Sequence, residues 1–180
     1  KKASNRKKKA TTTKNAVTRK GTHEQRMVQA EMLLDVSRKV AAIDSLDEVL
    51  GVLMEMSTWE LGAERSSLFL NDPQSGELYS RFAQGNFQRE IRIINDSGIA
   101  GSVFQSGIGR IIHDAYEDKS FNSSVDERTG YTTRNMICVP IKTVKDEVIG
   151  VAQVLNKKKG RFTKEDLSLL EAITTQASDR

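Results

Sequence analysis

Arg65 and Ser67 stand two apart in a stretch that reads as a strand, so a cation and a hydroxyl project from the same face. Further on, Gly98-Ile99-Ala100 opens a helical stretch, and the free N–H groups at a helix start favour any anion. The polar run from Asp114 to Asn135 carries Asn122, Asp126, Thr129 and Thr133. A loop of that length inside a compact domain is usually functional, although such residues also populate loops for local backbone reasons. Catalysis finds little support. His23 lies in a basic tail and His113 precedes a loop Asp, and neither accompanies a nucleophile or a metal-ligand set. Cys138, the single cysteine, sits in Met136-Ile137-Cys138-Val139 and reads as a buried, inert thiol. A disulfide framework is therefore excluded, and a reducing cytoplasm fits best.

The elements that must position these residues follow an α+β order. Apolar residues recur at helical spacing from Glu24 to Ile43, with Met27, Ala30 and Leu34 on one line and Leu33, Val36, Val40 and Ile43 on its neighbour. A second amphipathic helix presents Leu46, Val49, Leu50, Leu53, Met54 and Leu61, with Asp44 or Ser45 as its cap. Strands are expected at Ser66–Leu70 and Leu78–Ala83 around the turn residues 71–76, then at Ile91–Ile94 and Arg110–Ile112. Asn135–Lys142 and Glu147–Leu155 pair across Val144-Lys145-Asp146. Thr163 opens a last helix, with Asp166 three residues on in a capping-box arrangement.

Composition narrows the partners. The chain has 180 residues, enough for one domain with a core plus appended segments. Residues 1–23 hold nine of the 28 basic residues and no acid, which leaves the body from Glu24 onward with 19 basic against 24 acidic residues, net −5. The pI of 9.2 thus describes a flexible basic linker rather than a domain. An acidic body, and a tail without interleaved aromatic rings, argue against nucleic acid as a partner. No apolar run reaches the roughly 18 residues of a membrane span, so membrane insertion is not expected.

The ordered set of motifs is specific where each alone is weak. It runs from Ala63-Glu64-Arg65-Ser66-Ser67-Leu68-Phe69-Leu70 through Gly98-Ile99-Ala100-Gly101 and Asp114-Ala115-Tyr116 to Phe121-Asn122 and Thr129-Gly130-Tyr131-Thr132-Thr133-Arg134-Asn135. It ends in Val148-Ile149-Gly150-Val151-Ala152-Gln153-Val154-Leu155-Asn156-Lys157 and Phe162-Thr163-Lys164-Glu165-Asp166. This set resembles the cyclic-nucleotide-binding GAF domains that regulate phosphodiesterases and cyanobacterial adenylate cyclases, over about Ala30 to Ala177. The resemblance implies a GAF fold: a central antiparallel sheet with N- and C-terminal helices packed on one face. A ligand pocket would lie under loops and short helices on the other. It divides the chain into a linker at 1–23, a connecting helix at 24–44, the GAF domain at 45–177 and a second linker from 178. Asn156, Lys157, Phe162 and Asp166 match the family signature, except that Leu167 replaces its final Glu. In that signature Lys157 and Asp166 pair with each other and are structural.

Position by position, the resemblance implies that Arg65, Ser67 and the Ile99-Ala100 helix start hold a cyclic phosphate. Phe82 and Ile99 would sandwich the base, and Asn122, Asp126, Thr129 and Thr133 would lie on a lid. Guanine-binding relatives place carboxylates where this chain has Ala83 and Gln153. A carboxamide matches the donor and acceptor of adenine's edge, which favours cyclic AMP over cyclic GMP. No cofactor is implied beyond that ligand. The expected function is a non-catalytic sensor, in a parallel homodimer, that relays occupancy to attached signalling domains such as a cyclase or phosphodiesterase. The alternative is a ligand-free module for dimerisation or spacing.

Overall fold

The computed structural model describes residues 23–39, 41–42, 45–84 and 90–178. The basic linker, the Asp44 cap and the final residues 179–180 lie outside the described residues. The chain divides into two units, Lys1–Arg38 and Lys39–Arg180. In the first, residues 23–38 belong to a helix, α1, on which Met27, Val28 and Leu34 are exposed.

In the second, α2 (Leu46–Glu60) precedes β1 (Ala63–Asp72) and β2 (Glu77–Ala83), a hairpin, and then β3 (Arg92–Ile94). Next come α3 (Gly98–Ser106), β4 (Arg110–Ile112), the six-residue α4 (Ser124–Thr129), β5 (Met136–Lys142), β6 (Val148–Lys157) and α5 (Lys164–Ser178). The strands form one six-stranded sheet in the order β3-β2-β1-β6-β5-β4, with every neighbouring pair antiparallel. The α+β order and the β5–β6 hairpin expected from sequence are present. β1 and β6 run longer than local patterning implied, because they pair with each other from Ala63–Lys157 to Leu70–Gly150.

Alternation along the central strands sends side chains to two faces. On one face Leu50, Met54 and Leu61 of α2 and its end meet Leu68, Ile137, Val139, Ala152 and Val154 of the sheet and Leu170 of α5. Each such fully buried aliphatic side chain contributes about 1.5–3 kcal/mol. On the other face Phe69, Leu78, Met136, Cys138 and Val151 pack against Ile99, Ala100 and Val103 of α3 and against Ala115. Leu46, expected on the buried stripe of α2, is 45% exposed, because it stands in the first turn.

Candidate functional site

The second face does not close completely. A cavity of about 290 Å³ opens between β1, β2 and β6, the start of α3 and the segment 121–133. This is near the lower end of the roughly 300–1,000 Å³ of small-molecule sites. Arg65 and Ser67 reach it from β1, Ala83 from β2, Ile99 and Ala100 from α3, and Gln153 from β6. Asn122, Asp126, Thr129 and Thr133 line it from the long connection.

Phe82 does not line the cavity and is corrected here. Its ring packs into the helix-side core, where a Cβ on Gly51 of α2 would lie 3.6 Å from it. The cause is an irregularity in β2. Ser80 pairs with Phe69 and Phe82 with Leu68, so Arg81 is an extra residue in the ladder. Regular alternation from Leu78, on the cavity face, would keep Phe82 on that face. The extra residue reverses the alternation, putting Phe82 beside α2 and Ala83 toward the cavity.

The register also gathers three sequence-distant residues into one row. Ser67 pairs with Ala83 on one side and with Gln153 on the other. The Ser67 hydroxyl donates to Gln153 Oε1 at 3.4 Å. Gln153 in turn stands opposite Cys138. That thiol is wholly buried and burial pushes its pKa up to about 12, with a hydrogen bond from the Gln153 amide pulling the other way.

The helix start offers backbone donors. Gly98 has φ +73°, in the left-handed region that glycine adopts without penalty, and Gly101 packs so tightly on the Asn95-Asp96 turn that a Cβ would lie 2.8 Å from Asp96 C. Ser97, the residue before α3, makes no side-chain cap bond. The N–H of Gly101 bonds the Ser97 carbonyl, and the N–H groups ahead of it lie in the cavity wall.

The polar residues of the lid are largely satisfied by one another. Buried Asp126 accepts from the Thr133 N–H at 2.7 Å, the Thr133 hydroxyl at 2.8 Å and the Tyr116 hydroxyl at 2.9 Å. Thr129 donates to the Val125 carbonyl, and Asn122 accepts from the Ser124 N–H. In this structure these side chains hold the shape of the segment. They also line the cavity.

Tyr131 is the residue that sequence reasoning missed. Its ring lines the cavity, and the Arg65 guanidinium carbon sits 3.9 Å from the ring centroid. No carboxylate pairs with Arg65 among the described residues. The Tyr131 hydroxyl donates to Glu64 at 2.9 Å and accepts from Asn156 Nδ2 at 2.8 Å. Burial, followed by the bond to Glu64, pushes the phenol well above its usual range. Arg134 donates to the other Glu64 oxygen at 2.6 Å, and that bond holds the Glu64 carboxyl below its ordinary value. An aromatic residue isolated in a polar loop was the only signal available.

Asn156 is the hub beneath this network. It is fully buried with φ +57°, accepts from the N–H groups of Arg134 and Asn135, and donates to the Thr132 carbonyl. Its neighbour Lys157 makes a 2.7 Å ion pair with Asp166, and Phe162 lies beneath the ammonium. Asp166 and Thr163 complete a reciprocal cap at the start of α5.

An antiparallel sheet thus carries α2 and α5 on one face and, on the other, α3 beside a partly open pocket. The GAF domain family model matches residues 45–180, and the chain belongs to that family. It is 38% identical over 155 residues to a probable 3′,5′-cyclic phosphodiesterase, pde-5, of Caenorhabditis elegans, covering 79% of this chain and 21% of that protein. It is 40% identical over 116 residues to the dual 3′,5′-cyclic-AMP and -GMP phosphodiesterase 11 of Drosophila melanogaster, covering 56% of this chain and 8% of that one. The chain thus spans about a fifth or less of these curated relatives and corresponds to their GAF part. Among solved structures it superposes on the GAF domain of a phosphoenolpyruvate-protein phosphotransferase from Coxiella burnetii, with a TM-score of 0.76 and 18% identity over 84% of this chain and 91% of that one. It also superposes on free methionine-R-sulfoxide reductase from Neisseria meningitidis, with a TM-score of 0.71 and 19% identity over 83% and 86%. At those identities the likeness is one of fold. No helix among the described residues is long and apolar enough to cross a membrane.

Proposed function

We propose that this GAF domain is a non-catalytic, cytoplasmic sensor that binds a cyclic nucleotide, cyclic AMP in preference to cyclic GMP. It relays occupancy to an effector on the same polypeptide, such as a phosphodiesterase or a cyclase. The observation that carries the reading is the layout of β1 along one cavity. Arg65 stands at one end, and Ser67, with Gln153 and Ala83 beside it, stands two residues on. Two residues of strand span about 6.6 Å, so the cation and the Ser67 row can meet different parts of one ligand. On this layout Arg65 and the start of α3 take the phosphate. Ser67 moves from the phosphate, where the resemblance put it, to the base end, because its hydroxyl already bonds Gln153.

Isothermal calorimetry with cyclic AMP tests the reading. Arg65→Ala should weaken binding by about 1.5–3 kcal/mol, the worth of a hydrogen bond to a charged phosphate. Equal affinity of parent and variant would remove Arg65 from the site. The self-satisfied lid favours the second reading, a ligand-free module for dimerisation or spacing. That reading predicts no heat with either nucleotide, and no nucleotide released when the purified protein is denatured and analysed by mass spectrometry.

A further inference from the structure

Arg65 enters the cavity on a long, rotatable side chain, and a cation on such a stem recognises a phosphate well only when its plane is set in advance. The geometry around it supplies that restraint. The Tyr131 ring lies directly beneath the guanidinium, at 3.9 Å, well inside the roughly 6 Å range of a cation–π contact. The ring cannot swing aside, because its hydroxyl is fixed between Glu64 and Asn156. Those two are fixed in turn, Glu64 by Arg134 and Asn156 by the backbone of residues 132, 134 and 135. Tyr131 and Arg65 both line the cavity. Ring and cation together form a wall whose charge is unpaired by any carboxylate among the described residues.

We propose that Tyr131 is a positioning residue: its clamped ring is a platform that presents the Arg65 guanidinium to the anionic end of the ligand. The role rests on the reading that the cavity binds a cyclic nucleotide, and it deepens that reading by separating phosphate recognition from base recognition. Tyr131 touches Arg65 through its ring and the protein frame through its hydroxyl, so two substitutions divide the functions. Tyr131→Phe keeps the platform and releases the clamp. Tyr131→Leu removes the platform.

The test pairs two ligands that share base and sugar but differ in the phosphate, cyclic AMP and adenosine, each titrated by competition against a fluorescent cyclic nucleotide. Tyr131→Leu should weaken cyclic AMP about tenfold and leave adenosine unchanged, with Tyr131→Phe in between. A purely structural Tyr131 would move both ligands by the same factor, and that result would overturn the proposal. A second measurement needs no ligand. The Arg65 Nε–H proton resonance, assigned through Arg65→Lys, should be displaced upfield by the ring in the parent and in Tyr131→Phe, and return to its ordinary position in Tyr131→Leu. An Arg65 resonance indifferent to Tyr131→Leu would also overturn the platform. A parent that binds no cyclic nucleotide but shows the displaced resonance would instead sink the functional reading alone.

Discussion

Replacing Asn156 separates two contributions that one residue makes at once. The side chain satisfies the N–H groups of Arg134 and Asn135 and the Thr132 carbonyl, and the backbone adopts φ +57°. Truncation leaves three backbone groups without this partner, at about 1–3 kcal/mol for each one that stays dry. Arg134 is exposed as a residue and Asn135 is only half-buried, so water takes up part of that deficit. A net loss of about 2–4 kcal/mol is expected for Asn156→Gly. Asn156→Ala suffers the same loss and also forces a Cβ into the left-handed region. It should be worse by about 0.5–1 kcal/mol, the conformational cost less glycine's extra chain entropy. Urea unfolding followed by far-ultraviolet circular dichroism gives both values. Trp59 is 84% exposed in the folded chain, so its fluorescence is a poor reporter. The reasoning fails if Asn156→Gly proves less stable than Asn156→Ala, or if both remain within about 1 kcal/mol of the parent, a spread typical of a surface site.

Three further outcomes are expected. Gln153→Glu should narrow or reverse a preference for cyclic AMP over cyclic GMP by about tenfold, since a carboxylate accepts from guanine's donors and repels adenine's ring nitrogen; competition titration reads this, and a parent preferring cyclic GMP refutes it. The exposed line Met27, Ala30 and Leu34 on α1 motivates a parallel homodimer, so Leu34→Glu should yield monomers by light scattering, and a parent already monomeric at high concentration refutes it. The Glu64 carboxyl is held below its ordinary value of 4.5, chiefly by the bond from Arg134, so its stabilisation is complete above that pH and is lost as the pH falls through the lowered value. Glu64→Gln should therefore shrink the difference in urea midpoint between pH 6 and pH 3, and an unchanged difference would show that other carboxylates govern acid unfolding.

The central strands, the helix at α3 and the capped start of α5 were legible because each is announced locally, by alternation, by glycine or by Thr163 and Asp166. Ten of the eleven residues that the resemblance put at the site line the cavity, but two features lay beyond any local signal. Phe82 changed faces because of one extra residue opposite Leu68 and Phe69, and such a register shift is set by strand pairing, not by the sequence of β2. Ser67 and Gln153 are 86 residues apart, so their hydrogen bond emerges only when β1 and β6 align. Asp126 was legible as a residue of the lid, yet its partners Tyr116 and Thr133 turn it inward as an anchor. Tyr131 acquires its place from Glu64 and Arg65 of β1 and Asn156 of β6, two strands far from it in sequence.

The irregularity at Arg81 gives strand register a power over this pocket that substitutions in its lining lack. Arg81 itself faces away and pairs with Asp47 of α2 at 2.8 Å, so it has no contact with a ligand in the cavity. Yet were Arg81 kept and paired with Leu68 in plain alternation, its neighbours would exchange faces, turning the Phe82 ring inward and Ala83 outward. The cavity would then acquire an aromatic wall at its base end without alteration of any residue that lines it. Point changes at Ala83 or Gln153 adjust hydrogen bonding in a space whose breadth stays constant. A slip of one residue in the pairing of β2 with β1 resets the breadth itself, a coarse control lying alongside the fine one.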